Sequence, residues 1–384
     1  MKIFHHILLC SLTTYLLVIT HEAFADPLDH WTIISSGTTN RFHSVAFGSG
    51  VFVSCGDSGT VLTSSNGLAW MPVVTGTTNS LFGVAYGQGR FIAVGQSGTV
   101  ITSSNGVVWS SMGSDTLNSL NAVAYTGLGF VAVGNVGTIV TSSDASNWVV
   151  QKSGTSATFV GLGTGFGETF VGADVNPPAL FWSTDGSTWS YMTNVPPNQQ
   201  PDLFNGGFAY GNGILLGIRV RGLFCRSTDG ISWTNRSSPF VYCFGLVFAR
   251  NQFVTVGGEF SGGGRTIGSS MDGLSWKTRY YQSNEGRLLG VAYGNYRFIA
   301  VGDNGSILVS DPMLWLSNPS VVPNGFHVTL NGEPSSIYHI QATTNVTHSS
   351  WDDIGVVTNA ADSVELTVPF PADSSSAFYR VFAD

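Results

Sequence analysis

Along most of the chain, short apolar runs alternate with turns rich in Gly, Asn, Asp and Ser. The run "GVAYGQGRFIAVGQSGTVITSSNGVVW", ending at Trp109, nearly duplicates "SVAFGSGVFVSCGDSGTVLTSSNGLAW", ending at Trp70. Each unit divides into four apolar segments, which in the second copy are FGVAYG, RFIAVG, GTVITSS and VVWSSM. The joining turns GQG, GQSG and SNG supply residues that tolerate the positive φ of tight hairpins. Apolar positions run almost unbroken through the inner segments, so both faces of each sheet must be covered.

The closing tryptophans are Trp31, Trp70, Trp109, Trp148, Trp189, Trp233, Trp276 and Trp315, at intervals of 39, 39, 39, 41, 44, 43 and 39 residues. The opening apolar segment recurs seven times, from SVAFG at 44 to GVAYG at 290. Seven four-stranded units of about forty residues predict an all-β protein, a seven-bladed β-propeller. A solenoid shares the period but needs capping units, and neither end of the repeat looks like one. The repeat starts with a lone last strand, HWTIISS, and the seventh unit leaves the pattern after its third strand, at Pro312. The strand around Trp31 is therefore expected to complete the last blade beside residues 306–310, with the strand of Trp315 as the alternative donor. Either choice closes the ring and removes the free sheet edge.

Both ends lie outside the repeat. Residues 1–25 combine Lys2, the apolar run ILLCSLTTYLLVIT and the small-residue site AFA, the pattern of a secretory signal peptide cleaved after Ala25. The expected domains are then a propeller over 26–316, a Pro-containing linker over 317–325, and a C-terminal β-sandwich module over 326–384. That module is read from the alternating runs FHVTL, IYHIQATT, WDDIGVV, SVELTVP and AFYRVF. The mature protein is expected to be exported, periplasmic or extracellular, and monomeric.

The third turn of each unit reads SSNGLAW, SSNGVVW, SSDASNW, STDGSTW, STDGISW and SMDGLSW. It resembles the Asp-box, or BNR repeat, of sialidase-like propellers, and its cadence is similar to photosystem II assembly-factor-like propellers. The acid is kept at Asp144, Asp185, Asp229 and Asp272, whereas Asn66 and Asn105 carry an amide and Ala145 replaces the glycine. The resemblance implies a structural turn, its carboxylate or amide accepting backbone N–H bonds and its Trp packing between blades. The C-terminal run resembles the Ig- or fibronectin-like modules that end many secreted bacterial proteins.

Composition narrows the function. Charged residues are only 10% of the chain, and the net charge of −8 comes without any cluster of Lys or Arg. A phosphate-tracking surface is excluded, so nucleic acid is not an expected partner. No metal or cofactor motif is present: each Asp turn brings one carboxylate where calcium needs six to eight oxygens. Cys55, Cys225 and Cys243 follow the leader, an odd number without C-x-x-C spacing, and only Cys225 and Cys243 lie near enough in the blade order to bond.

A glycoside hydrolase of sialidase-like type is the alternative function, with Tyr281 and Glu285 as its nearest approach to a nucleophile pair. It lacks the R-I-P signature that the resemblance would require, and sialidase propellers have six blades. The preferred reading is a non-catalytic propeller that binds a protein or carbohydrate. The turns between second and third strands are short in blades one, two, three and seven but enlarged in blades four to six: ADVNPPAL, IRVRG and GGEFSGGGR. They are expected to form a charged wall at the channel mouth, with Asp174, Arg219, Arg221, Glu259 and Arg265 as binding candidates. Asp57 and Asp303 occupy the equivalent turns of blades one and seven.

Overall fold

A computed structural model gives the fold and describes residues 6–11, 18–20, 26–174, 180–192, 204–259, 264–322, 325–333, 337–343, 351–361, 363–369 and 376–383. The first blade shows how sequence becomes structure. Phe42–Gly48, Val51–Gly56, Val61–Ser64 and Met71–Val73 form an antiparallel sheet in chain order. The second strand is buried along almost its whole length because its two faces meet different neighbours. Phe52 lies in a core slice with Ile299 and Val301 of blade seven, while Val53 lies in one with Phe91 and Ile101 of blade two.

Seven such four-stranded sheets are present. Their first strands pack one on the next around a circle that ends with Leu288–Gly294 against Phe42–Gly48. The protein is a closed seven-bladed β-propeller. In the last blade the outer strand is Trp31–Ile34, beside Ile307–Ser310, so the N-terminal strand closes the ring. Trp315 takes no part in closure, since Trp315–Val322 pairs with Gly325–Asn331.

That pairing corrects the expected linker. Residues 317–322 are strand, and Pro319 is accommodated where the register shifts between Ser317 and Ser320. A bulge tolerates a residue that cannot donate to the ladder.

The C-terminal unit is a sandwich. One sheet holds Trp315–Val322, Gly325–Asn331 and Ser363–Pro369; the other holds Ser376–Ala383, Ile337–Thr343 and Asp352–Thr358. Between them lies a core that includes Val328, Leu330, Tyr338, Leu366 and Tyr379. His6–Ser11 and Val18–Thr20 extend the second sheet beyond Ser376–Ala383. The rest of the expected leader, 1–5, 12–17 and 21–25, falls outside the described residues.

Candidate functional site

The turns that follow each third strand form one rim of the ring, and they are built to hold shape. Asn66 Oδ1 accepts from the backbone N–H groups of Leu68 and Ala69 at 2.9 and 3.0 Å. Asn105 does the same for Val107 and Val108, Asp144 for Ser146 and Asn147, Asp185 for Ser187 and Thr188, Asp229 for Ile231 and Ser232, and Asp272 for Leu274 and Ser275. These N–H bonds hold the carboxyl of Asp229 down at about 2, and those of Asp144, Asp185 and Asp272 also lie below the ordinary range. The indole N–H groups of Trp70, Trp109, Trp189 and Trp233 donate to the carbonyl of the turn glycine.

Glycine suits the positive φ of this turn in five of the six copies. At Gly106 φ is +75°, and a Cβ would come within 2.9 Å of Val53 in the preceding blade. In blade three Ala145 adopts φ 63°, and Trp148 Nε1 is left without a partner. Trp276 Nε1 is likewise buried without a partner. All these side chains serve the fold.

The opposite rim carries the turns between second and third strands. In blades one, two, three and seven the first N–H of the turn is fastened to the residue just before the inner strand of its own blade: Asp57 to Arg41 O, Gln96 to Ser80 O, Asn135 to Ser119 O and Asp303 to Arg287 O, at 2.8–2.9 Å. An amide-to-hydroxyl bond repeats this clamp, from Asn40 to Thr60, Asn79 to Thr99 and Asn118 to Thr138.

Just inside this rim the first strands share an irregularity that the sequence reading missed. Their register with the second strand slips at one residue: between Phe42 and Ser44, Leu81 and Gly83, Leu120 and Ala122, Phe159 and Gly161, and Cys243 and Gly245. Such bulges re-aim a side chain. The residues set free are His43, Phe82, Asn121, Val160 and Phe244, and Leu289 holds the same sequence position in blade seven. All six are half-buried on the first strands, and Val160 also packs against the core cluster of Phe170 and Phe208. This position ranges over His, Phe, Asn, Val and Leu while its neighbours stay mostly small or apolar, and that is the signal that would have found it. In blade five the slip runs from Phe204 to Phe208.

Neighbouring contacts fix the ring of varied residues. The His43 and Phe82 rings meet edge-on at 5.2 Å. His43 Nε2 lies 2.6 Å from Asp57 Oδ1. Asn121 donates to Asn135 Oδ1 at 2.9 Å and to Phe159 O at 2.8 Å. The guanidinium of Arg287 sits 5.5 Å from the Phe244 ring centre, and Tyr242 stacks beside Phe244. Asp303 takes Arg41 Nε at 2.5 Å and Arg287 Nε at 2.9 Å. Burial raises its pKa, but the Arg287 bonds and the two positive charges outweigh this, leaving it below the ordinary value.

Among the expected binding residues the structure separates two groups. Arg219 and Arg265 are 0% and 3% exposed and cannot stand on a charged wall. Arg219 turns inward to Asn235 Oδ1 within its own blade. The extra residues of the first strand there give it room, whereas at the equivalent Gly95 a Cβ would lie 2.0 Å from Ser80 O. Asp174 and Arg221 are exposed, Arg221 at φ 61° in the turn. Glu259 is half-buried and accepts from the Tyr281 hydroxyl at 3.2 Å, while Glu285 pairs with Arg265. Tyr281 and Glu285 thus serve different partners. The loop centres at 175–179 and 260–263 fall outside the described residues.

The cysteines do not bond. Cys55, Cys225 and Cys243 are buried thiols outside any disulfide, and burial pushes Cys225 and Cys243 up to about 12.

No family model matches the chain, and no curated protein does. Among solved structures it is similar to YCF48 bound to D1 peptide, at 17% identity and a TM-score of 0.59, covering 74% of this chain and 97% of that one. It is similar to the WD40 propeller domain of Doa1 at 12% identity and a TM-score of 0.57, covering 73% and 96%. A catalytically inactive virginiamycin B lyase from Staphylococcus aureus, with quinupristin, gives 8% identity and a TM-score of 0.62, covering 74% and 99%. These likenesses establish the propeller.

Proposed function

We propose that this protein is a non-catalytic docking propeller, which holds an exposed segment of a protein partner at the channel mouth ringed by His43, Phe82, Asn121, Val160, Phe244 and Leu289. The observation that carries the reading is a bulged position, repeated in the first strands, whose side chain changes in polarity from copy to copy among mostly small or apolar neighbours. A rigid ring that presents a different side chain at each bulge is suited to recognition by shape and mixed polarity. The aromatic side chains of Phe82 and Phe244 are the anchors, and Asn121 and the His43–Asp57 pair supply the polar contacts. Peptide- and protein-related neighbours such as YCF48 with its D1 peptide agree with a protein partner. The Asp-box-like turns belong to the scaffold.

The protein acts after export, once residues 1–25 are removed, and mass analysis of the mature N-terminus tests this directly. For the docking reading, the mature protein is probed on a peptide array together with the Phe82→Ala/Phe244→Ala variant. Selective binding by the wild type that the variant loses is the expected result. Equal binding by both would end the proposal.

A further inference from the structure

The repeat builds the same groove twice on the rim that carries the second turns. One groove, of about 570 Å³, lies over Ser97–Thr99 and is bounded by the connections at 75–79 and 111–117. Its counterpart, of about 640 Å³, lies over Asn304–Ser306 and is bounded by residues 33–39. The walls of both are rich in Ser, Thr and Gly. Only the second groove contains an arginine, because the enlarged turn of blade six delivers Arg265 into it.

The Arg265 side chain is only 3% exposed, yet its donors are incompletely used. Nη2 shares its two hydrogens among Glu285 O, Ser306 Oγ at 3.1 Å and Glu285 Oε2 at 3.3 Å. Nε is buried and has no hydrogen-bond partner. A guanidinium offers Nε and Nη2 as one edge that a planar oxyanion meets with two parallel bonds. Glu285 reaches only one of the two, and its side chain is 48% exposed. An unmet donor on a buried cation is costly, so this edge is poised for a better acceptor.

The surrounding charges set the size of that acceptor. Arg41 and Arg287 both bind Asp303 beside the same turn. With the Glu285 side chain moved aside, Arg41, Arg265 and Arg287 face Asp303 alone, an excess of two positive charges. A doubly charged carboxylate balances it. The hydroxyl-rich walls, with Ser36, Thr38 and Ser306, favour a polar carrier over an apolar one.

We propose that this groove, separate from the channel mouth, binds a small hydroxydicarboxylate. One carboxylate meets Nε and Nη2 of Arg265, displacing the Glu285 side chain into solvent, and the hydroxyl meets the Ser and Thr walls. Glu285 is then an internal competitor for the site.

Calorimetric titration of the full chain with L-malate, and separately with inorganic phosphate, tests this. Glu285→Gln removes the competitor and should tighten malate binding at least threefold. Arg265→Lys keeps the charge but loses the two-point edge, and should weaken it at least tenfold, with the unfolding temperature measured alongside. If Arg265→Lys does not fold, the Glu285→Gln result still decides. No gain in Glu285→Gln, wild-type affinity in Arg265→Lys, or phosphate binding tighter than malate would each overturn the assignment.

Discussion

His43 Nε2 and Asp57 Oδ1, 2.6 Å apart, tie the bulge of the first inner strand to the turn above it. The same turn is held from the other side by its N–H bond to Arg41 O. A side chain at the channel mouth is thus oriented by two elements of its own blade. Replacing Asp57 with Ala should loosen His43 without unfolding the ring, an effect within about 1 kcal/mol on stability.

Closure by Trp31–Ile34 makes the ring sensitive to its N-terminus. Deleting residues 26–36 exposes Ile307–Ser310, which is buried throughout, as a free edge. The melting temperature should fall by roughly 10 °C, corresponding to a few kcal/mol for a domain of this size. Retained stability in a thermal melt would mean that another strand completes blade seven.

Acid should open the blades unevenly. The carboxyls of Asp144, Asp185, Asp229 and Asp272 are held below their unfolded value of about 3.9 by backbone N–H bonds. Their contribution is complete above that value and is lost as pH falls through the folded values, for Asp229 about 2. Blades one and two carry Asn66 and Asn105 instead, which do not titrate. Hydrogen exchange between pH 4 and pH 2 should show blades three to six losing protection first.

Most of the fold was legible because its determinants are local. Turn glycines, a fixed period and two-sided apolar strands dictate blades without reference to distant contacts. The linker was misread because Pro319 looks like a strand breaker, whereas a register slip absorbs it. Arg219 and Arg265 were misplaced because charge predicts exposure, and their burial depends on extra residues elsewhere in the blade and on partners 16 to 41 residues away. The ring of bulged residues was visible as a varied column in the first strand, but nothing local says that this position faces a channel.

Burial also separates the two arginines that the sequence treats alike. Arg219→Ala should cost about 2–3 kcal/mol, since it empties a buried site and leaves Asn235 short of a donor. Arg221→Ala, at an exposed turn, should change stability by less than about 0.5 kcal/mol. Denaturant unfolding of the two variants distinguishes them.

The thiols should be silent in the native state. With Cys225 and Cys243 buried and their pKa values at about 12, iodoacetamide should label neither until the protein unfolds. Labelling under native conditions would contradict the packing between blades.

The docking claim is tested most directly by photo-crosslinking. A photoreactive residue is placed in turn at Phe82, at Leu289 and, on an outer strand, at Tyr191, which is 62% exposed. The protein is irradiated with the partner peptide selected on the array. The account predicts adducts from positions 82 and 289 and none from 191. Adducts from 191 alone would place the docking surface on the outside of the ring and contradict it.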